Sequence, residues 1–306
     1  MKKKVIIVIA TYNGLKWLPK CLKSIPANYT IVIVDNNSKD ATVQFIQENY
    51  PLITLIQQTK NVGFGAANNI GISYALKQGA DYVFLLNQDA YLQNNTIEQL
   101  IAVHKNNTEY GIISPIHLNG SGDKLDVNFS NYLAVNKEII FDSLQNKFTN
   151  KVYELPFVNA AAWLLPIKTI ETIGGFDPIF HHYSEDDNYC QRALFHGFKI
   201  GIVPNTYIYH DREFRTREEA ISNKTKLLLK ERYLKYKWAN INIEIGSEIK
   251  KSKNKLRKLI VKLLLKLQFK KVSYFFSELS LIKKIIPKIE KSRKLNKTIG
   301  LHYLKK

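Results

Sequence analysis

The chain has 306 residues, 45% of them hydrophobic, which suits one large α/β core with an appendage. Its formal net charge of +19 is unevenly divided: residues 212–306 hold 28 Lys and Arg against 8 Asp and Glu, whereas residues 1–211 are close to neutral. Cys21 and Cys190 lie far apart with no CxxC or Cys/His spacing, which excludes a disulfide framework and a zinc site and suits a reducing cytosol. No run approaches the ~18 to 20 apolar residues of a membrane span, so the protein is expected to be soluble or peripheral.

The start MKKKVIIVIA imitates a signal peptide, but its apolar run, Val5 to Ala10, is short and leads straight into Thr11-Tyr12-Asn13-Gly14. The run is read as a buried, β-branched strand of a parallel sheet. A helix is expected over 15–25, with Pro19 kinking or delaying it. A second strand, 30–34, precedes a polar turn at Asp35 to Ser38 and a helix from about Asp40, for which Ser38 to Thr42 offer N-cap chemistry. A third strand, 52–57, ends in Lys60-Asn61-Val62-Gly63-Phe64-Gly65 before a helix over AANNIGISYALKQG. A fourth, Tyr82 to Leu86, ends in Asn87-Gln88-Asp89. Ligands of such sheets sit at the carboxyl ends of the strands, which directs attention to Thr11, Asp35, Asn61 and Asp89. Asp and Asn are also ordinary turn residues, so it is their coincidence that counts. Gly63-Phe-Gly65-Ala-Ala-Asn68 imitates a dinucleotide fingerprint, but it follows the third strand rather than the first, which argues against NAD.

Further on, Gly174-Gly175 breaks a helix over 167–173. The acids Glu185, Asp186 and Asp187 then open a helix that continues through Asn188 to Leu194. Acids there complement the helix dipole, yet three adjacent like charges exceed what capping requires, and their repulsion raises the pKa of one toward that of a general base. His210 ends the apolar strand IVPNTYIYHD.

Taken in order, VIIVIATYNG, IVIVDNNSKDAT, NVGFGAANNIGI, LLNQDA, GGFDPIFHHYSEDDNYCQR and the later His resemble glycosyltransferase family 2, over about residues 4–215. The NVGFGAANN segment is most similar to the bacterial rhamnosyltransferase-like branch. The resemblance implies an α/β GT-A fold, a Rossmann-like, mostly parallel sheet flanked by helices. It also implies an inverting, metal-dependent transfer of rhamnose or a hexose from a dTDP- or UDP-sugar. The acceptor would be a hydroxyl of a glycan or lipid-linked saccharide in cell-surface polysaccharide biosynthesis. By the same resemblance Asp35 reads the pyrimidine N3–H, with Thr11, Tyr12, Asn13 and Asn37 around it and with Asn61, Gly63, Asn68 and Asn87 as further nucleotide contacts. Asn87 stands where many relatives have Asp, leaving Asp89 as the acid that holds Mn²⁺ or Mg²⁺, with His210 as second ligand. Asp186 is the implied catalytic base and Glu185 its acceptor-orienting neighbour, while Asp187 is less securely placed. Trp163 is open between stacking on a sugar and packing in the core.

The implied organisation is a catalytic domain over 1–215, with a nucleotide-binding half (1–114) and an acceptor half (115–215), and a basic helical region over 216–306. In that region Leu256, Leu259, Ile260, Leu263, Leu264 and Leu267 follow helical spacing, with Lys255, Lys258, Lys262 and Lys266 on the other face. The apolar theme extends over 272–286 to Pro287. Such helices either pack as an appendage or lie in an anionic membrane interface. Attachment to the cytoplasmic face of the membrane is the expectation, and nucleic acid is not expected for want of a recognisable module. The rival functional reading is a non-catalytic nucleotide-sugar-fold partner in a membrane-associated glycan assembly complex.

Overall fold

A computed structural model describes residues 3–149, 151–212 and 222–305. The chain divides into two compact units, Met1–Arg215 with Ile299–Lys306, and Thr216–Thr298.

The first unit opens with alternating strands and helices: β1 (Val5–Thr11), α1 (Leu18–Lys23), β2 (Thr30–Asp35), α2 (Thr42–Asn49), β3 (Thr54–Gln57), α3 (Phe64–Lys77) and β4 (Tyr82–Leu86). There follow β5 (Ala90–Leu92), α4 (Thr96–His104), β6 (Tyr110–Asn119), α5 (Val127–Leu133), α6 (Lys137–Leu144), β7 (Tyr153–Glu154), β8 (Ala162–Pro166), α7 (Ile167–Ile173), α8 (Glu185–Phe195) and β9 (Lys199–His210). The strands join in one sheet of order β3-β2-β1-β4-β8-β6-β9-β5, with β7 paired to β9. Strands β1 to β4 pair in parallel as expected, whereas β8 runs antiparallel to β4 and to β6, and β5 runs antiparallel to β9.

Two apolar layers explain the β-branched runs. Ile6 and Val8 face one layer with Ile72 and Ala75 of α3 and Tyr189 of α8; Ile7 and Ile9 face the other with Leu18 and Cys21 of α1 and Ile46 of α2. Alternate side chains of a strand point to opposite faces, so a strand covered on both needs a continuous apolar run. The parallel register puts Thr11 opposite Asp35 and Asp35 opposite Gln57, which aligns three carboxyl ends on one edge.

Several local expectations are decided by the structure. Pro19 lies in the first turn of α1, where its missing N–H costs nothing; the helix begins at Leu18 and not at 15, so the proline goes with a delayed start and not with a kink. Helix α2 has Ala41 at its N-cap with no side-chain bond; Asp40 accepts from the Thr42 N–H and hydroxyl, and Ser38 Oγ accepts from the Asn13 N–H. Trp163 is fully buried and stacks on Phe176, so it belongs to the core.

The turn after α7 is tied down from two sides. Arg192 of α8, fully buried, donates to the carbonyls of Ile173 and Gly175 at 2.6 Å each and to Asn188 Oδ1 at 3.1 Å. Residues 299–305 bind the same region: the Gly175 N–H donates to the His302 carbonyl, the Gly300 N–H to the Thr172 carbonyl, and the Tyr303 hydroxyl to Asp177. Gly174, at φ 73°, has no room for a β-carbon against the His302 backbone.

The second unit packs three helices, α9 (Asn223–Trp238), α10 (Gly246–Leu265) and α11 (Phe269–Asn296). Leu256, Ile260 and Leu263 are buried, as are Val272, Leu279, Ile282, Ile285 and Ile289. The amphipathic stripe of α10 is thus largely consumed by packing and is not free to lie in a bilayer, while Leu264 and Leu267 stay exposed. Pro287 does not end α11, because Ile285 and Ile289 on either side of it are both buried and their packing outweighs the lost backbone bond. No helix among the described residues is long and apolar enough to cross a membrane.

Replacing Arg192 with Met is expected to destabilise the protein by about 3 kcal/mol or more, since two buried carbonyls lose charged donors. Urea unfolding checks this, and an unchanged midpoint would remove Arg192 as the tie between α7 and α8.

Candidate active site

Three loops at the carboxyl edge of the sheet are stitched by side chains. Asp35, 2% exposed, accepts from the N–H groups of Asn37 and Ser38 at 3.1 Å through Oδ2, while Oδ1 has one long contact at 3.4 Å. The turn reading of Asp35 is therefore real, and it leaves Oδ1 with acceptor capacity. Asn13 Oδ1 accepts from the Lys39 N–H, and Asn37 Oδ1 from Lys39 Nζ, both at 2.8 Å. Asn13 and Asn37 have φ of 48° and 66°, a conformation Asn tolerates better than most residues. Thr11 donates to Gln88 Oε1 at 2.6 Å, and the Tyr12 N–H donates to the same oxygen at 3.0 Å. Gln88 thereby holds the end of β1 against the Asn87–Asp89 loop.

Asn61 serves the scaffold: its Oδ1 accepts from Asn36 Nδ2 and from the Gly63 N–H, each at 3.0 Å. Asn68 is buried in α3 and donates to the Phe64 carbonyl. Gly63, at φ 91°, faces the His181 carbonyl, and a β-carbon on Gly65 would sit 2.8 Å from Phe176 Cβ and 3.5 Å from Glu185 Cβ. These two glycines admit protein, namely the segment that leads into α8. Neighbouring Asn69 clamps it, accepting from the Phe176 N–H at 2.6 Å and donating to the Phe176 carbonyl at 2.8 Å.

Across the edge, the pairing of β5 with β9 sets Ala90 opposite His210, and the Asp211 N–H donates to the Asp89 carbonyl. His210 Nε2 is consequently 3.6 Å from Asp89 Oδ1, with both side chains buried. On its other side Nδ1 is 3.6 Å from Asp126 Oδ2. Neither ring nitrogen has a hydrogen-bond partner, an expensive condition for a buried imidazole unless a ligand completes it. Asp126 also caps α5 and receives both Nε and an Nη of Arg212. Among the described residues no three His, Cys, Asp or Glu side chains converge for a metal, so Asp89 and His210 could offer a cation only two donors. A carboxylate oxygen and an imidazole nitrogen fit Mn²⁺ and are compatible with Mg²⁺, with other ligands left to phosphate and water.

A cavity of about 400 Å³ brings the start of α8 together with the end of β9; Asn87, Tyr132, Glu185, Asp186, His210 and Arg212 are among its lining residues, and Thr11, Asp35 and Asp89 are not. Helix α8 enters it after two successive left-handed residues, Tyr183 (φ 69°) and Ser184 (φ 68°), strained positions for non-glycine side chains. Its first-turn acids do not behave as caps. Burial, then the charge of Asp186, pushes Glu185 up to about 7, and the same two causes push Asp187 up to about 7. Asp186 is raised by burial, against the opposing N–H groups of Asp187 and Ala160. A helix dipole contributes ~0.3 to 1 kcal/mol toward the charged form, whereas the rise of Glu185 from 4.5 to about 7 corresponds to ~3 kcal/mol against it. Burial and mutual repulsion win, and the cluster holds a proton near neutrality. His181 and His182 are exposed, and His182 lines the same cavity as His210.

Sequence reading missed Gln88, Asn36, Asp126 and Arg212. Gln88 and Asn36 lie inside recognised motifs, but Asp126 lies in a stretch with no pattern to mark it.

The sequence model described as Glycosyl transferase family 2 matches residues 6–165. The dTDP-rhamnosyl transferase RfbF of Shigella flexneri is 25% identical over 215 residues, covering 69% of this chain and 70% of that protein. The low-salt glycan biosynthesis hexosyltransferase Agl10 of Haloferax volcanii is 26% identical over 197 residues, 64% and 63% of the two. Among solved structures, S. aureus TarS 1-349 in complex with UDP-GlcNAc superposes with a TM-score of 0.54 at 16% identity, over 96% of this chain and 88% of that one. The mannosyltransferase PcManGT of Pyrobaculum calidifontis, in complex with GDP-Man and Mn2+, gives 0.51 at 17% identity, over 95% and 74%. Both structures share the fold.

Because the ordinary value of Glu185 is 4.5 and its folded value about 7, its contribution to stability is full below about pH 4.5 and is lost as the pH rises through about 7. Unfolding free energy should fall by ~2 to 3 kcal/mol over that window, and the fall should be shallower in Glu185→Gln. Urea titrations at several pH values check the slope; identical slopes would contradict the buried, protonated state of Glu185.

Proposed function

This chain belongs to glycosyl transferase family 2 and transfers a sugar from a nucleotide-sugar, and from that premise we propose that it is an inverting, metal-dependent rhamnosyl- or hexosyltransferase using a dTDP- or UDP-sugar. The observation that carries the reading is the convergence on one cavity of the α8 acids with His210, which adjoins Asp89. The acceptor is a hydroxyl of a glycan or lipid-linked saccharide in cell-surface polysaccharide synthesis. The Haloferax relative's name, a glycan biosynthesis hexosyltransferase, supports a glycan acceptor, and the Shigella relative's, a dTDP-rhamnosyl transferase, supports the donor.

Asp35 accepts the N3–H of a uracil or thymine base through Oδ1, with Thr11, Tyr12, Asn13 and Asn37 around the nucleoside. Asn87 adjoins the diphosphate; Asn61, Gly63 and Asn68 act indirectly, by holding the loop that abuts α8. Asp89 and His210 would hold a divalent cation, which supplies charge neutralisation to the departing diphosphate. Asp186 takes the proton of the acceptor hydroxyl while that oxygen bonds to the anomeric carbon and the bond from that carbon to the diphosphate oxygen breaks, inverting the centre. The nucleoside diphosphate leaves and the proton stays on Asp186 until solvent removes it. Glu185, protonated near neutrality, can donate a hydrogen bond to the acceptor, and Asp187 shares the cluster's charge. Residues 216–306 attach the enzyme to the cytoplasmic face of an anionic membrane, which the excess of Lys and Arg there supports.

Asp186→Asn is expected to lower kcat by about 10²- to 10⁴-fold while nucleotide binding survives. Release of UDP or dTDP across a donor panel with Mn²⁺ measures it, and retained turnover would remove Asp186 as base. Asp89→Ala is expected to weaken Mn²⁺-dependent nucleotide binding about tenfold or more, with little change in binding without metal. Calorimetry with UDP and dTDP, with and without Mn²⁺, separates the two; equal losses in both would point to a misfolded loop instead of a lost ligand.

A further inference from the structure

Between Glu248 and Glu278 the chain has ten Lys and Arg residues and no acid. The two flanking acids are already engaged, Glu248 with Lys237 at 2.7 Å and Glu278 with Lys230 at 2.9 Å. In the middle of this segment, residues 264–271 read LLKLQFKK, and all eight are exposed. Leu265 is 82% exposed, Leu267 73% and Phe269 61%, and Val261, one turn before Leu265, is 56% exposed. Helical packing buries Leu263 and Val272 on either side and stops there, so the turn between α10 and α11 is an apolar tip ringed by lysines.

The turn itself shows that the tip is not an accident of helix termination. The Leu267 N–H donates to the Leu264 carbonyl and the Gln268 N–H to the Leu263 carbonyl, the Schellman pattern, with Leu267 at φ 54° in the left-handed position. Glycine is preferred there because a β-carbon is penalised. Leu267 carries that penalty and gains no burial in return, since its side chain is 73% exposed; within the turn only the two backbone bonds offset it.

We infer that the α10–α11 turn is a membrane-insertion tip, in which Leu265, Leu267 and Phe269 enter the acyl boundary of an anionic bilayer while Lys266, Lys270 and Lys271 contact lipid phosphates. Apolar side chains without charge would serve a protein partner equally well, and lysines without apolar side chains would serve nucleic acid. The alternation of the two within eight residues fits a surface with an anionic skin over an apolar interior. The inference locates the peripheral attachment proposed above and rests on it.

The test uses the full chain and flotation with vesicles of phosphatidylcholine, either pure or with about one third phosphatidylglycerol. Binding is expected to the anionic vesicles only and to weaken steeply with added salt. Leu265→Asp with Phe269→Asp should weaken it by about tenfold or more, whereas Leu52→Asp, at a fully exposed leucine of the first unit, should leave it unchanged. Leu267→Gly separates lipid binding from folding, because it should hold or raise the melting temperature while lowering vesicle binding. Anionic binding that is insensitive to the tip variants would overturn the tip and leave attachment standing; no binding to either vesicle would overturn both. Tip-dependent self-association without lipid, or duplex RNA binding with the same dependence on Leu265 and Phe269, would assign the surface to a second copy or to nucleic acid and overturn the inference. None of these readouts involves turnover, so the transferase assignment stands or falls separately.

Discussion

The site depends on one steric allowance, the approach of the N-terminus of α3 to the segment that leads into α8. At Gly63 and Gly65 there is no space for side-chain carbon, and on the far side of the contact lie His181, Phe176 and Glu185. Asn69 completes the clamp with two bonds to the Phe176 backbone. Because α3 is also docked on β1 through Gly71 against Val8, the position of the α8 acids is set by the same rigid body that carries Thr11 and Asp35. The distance between the Thr11–Asp35 edge and the cavity at α8 is thus a packing distance, which close-packed interiors hold tightly.

Electrostatics in the α8 acid cluster works against stability. The α8 acids occupy the end of a helix where negative charge is welcome, yet burial raises all three. A site assembled for stability would expose these carboxylates. Instead they are packed beside one another and opposite Arg212, whose guanidinium is held by Asp126, itself beside His210. Asp126 therefore connects the helix cap of α5, the cation near the acids and the imidazole near Asp89.

Much of this was legible in the sequence because short-range chemistry decides it. The β-branched run of β1 and the run of β4 name their strands within a residue or so, and the polar residues that end them lie on the edge where such sheets bind ligands. What was not legible depends on partners far away in the chain. Gly63 and Gly65 look like a phosphate cradle until His181 and Phe176 are seen beside them. His210 gains its neighbour only through the antiparallel pairing of β5 with β9, and Asp126 lies in a loop whose composition carries no signal. Pro287 shows the same dependence: local propensity opposes the helix there, and buried Ile285 and Ile289 override it.

The return of residues 299–305 to the first unit has a kinetic consequence. The Tyr303 hydroxyl reaches Asp177 across 126 residues, and the Lys305 N–H reaches Ser73 across 232. Leu301 and Leu304 fill the apolar layer that contains α3 and α8, and His302 braces the turn before the acids. During synthesis that layer stays open until the whole helical unit has been made and these few residues emerge. Such long loop closures slow the final step of folding and prolong the exposure of unfinished apolar surface. The catalytic unit is in this sense completed last by its shortest segment, and a nascent chain cannot acquire a finished acid cluster before its basic helices exist.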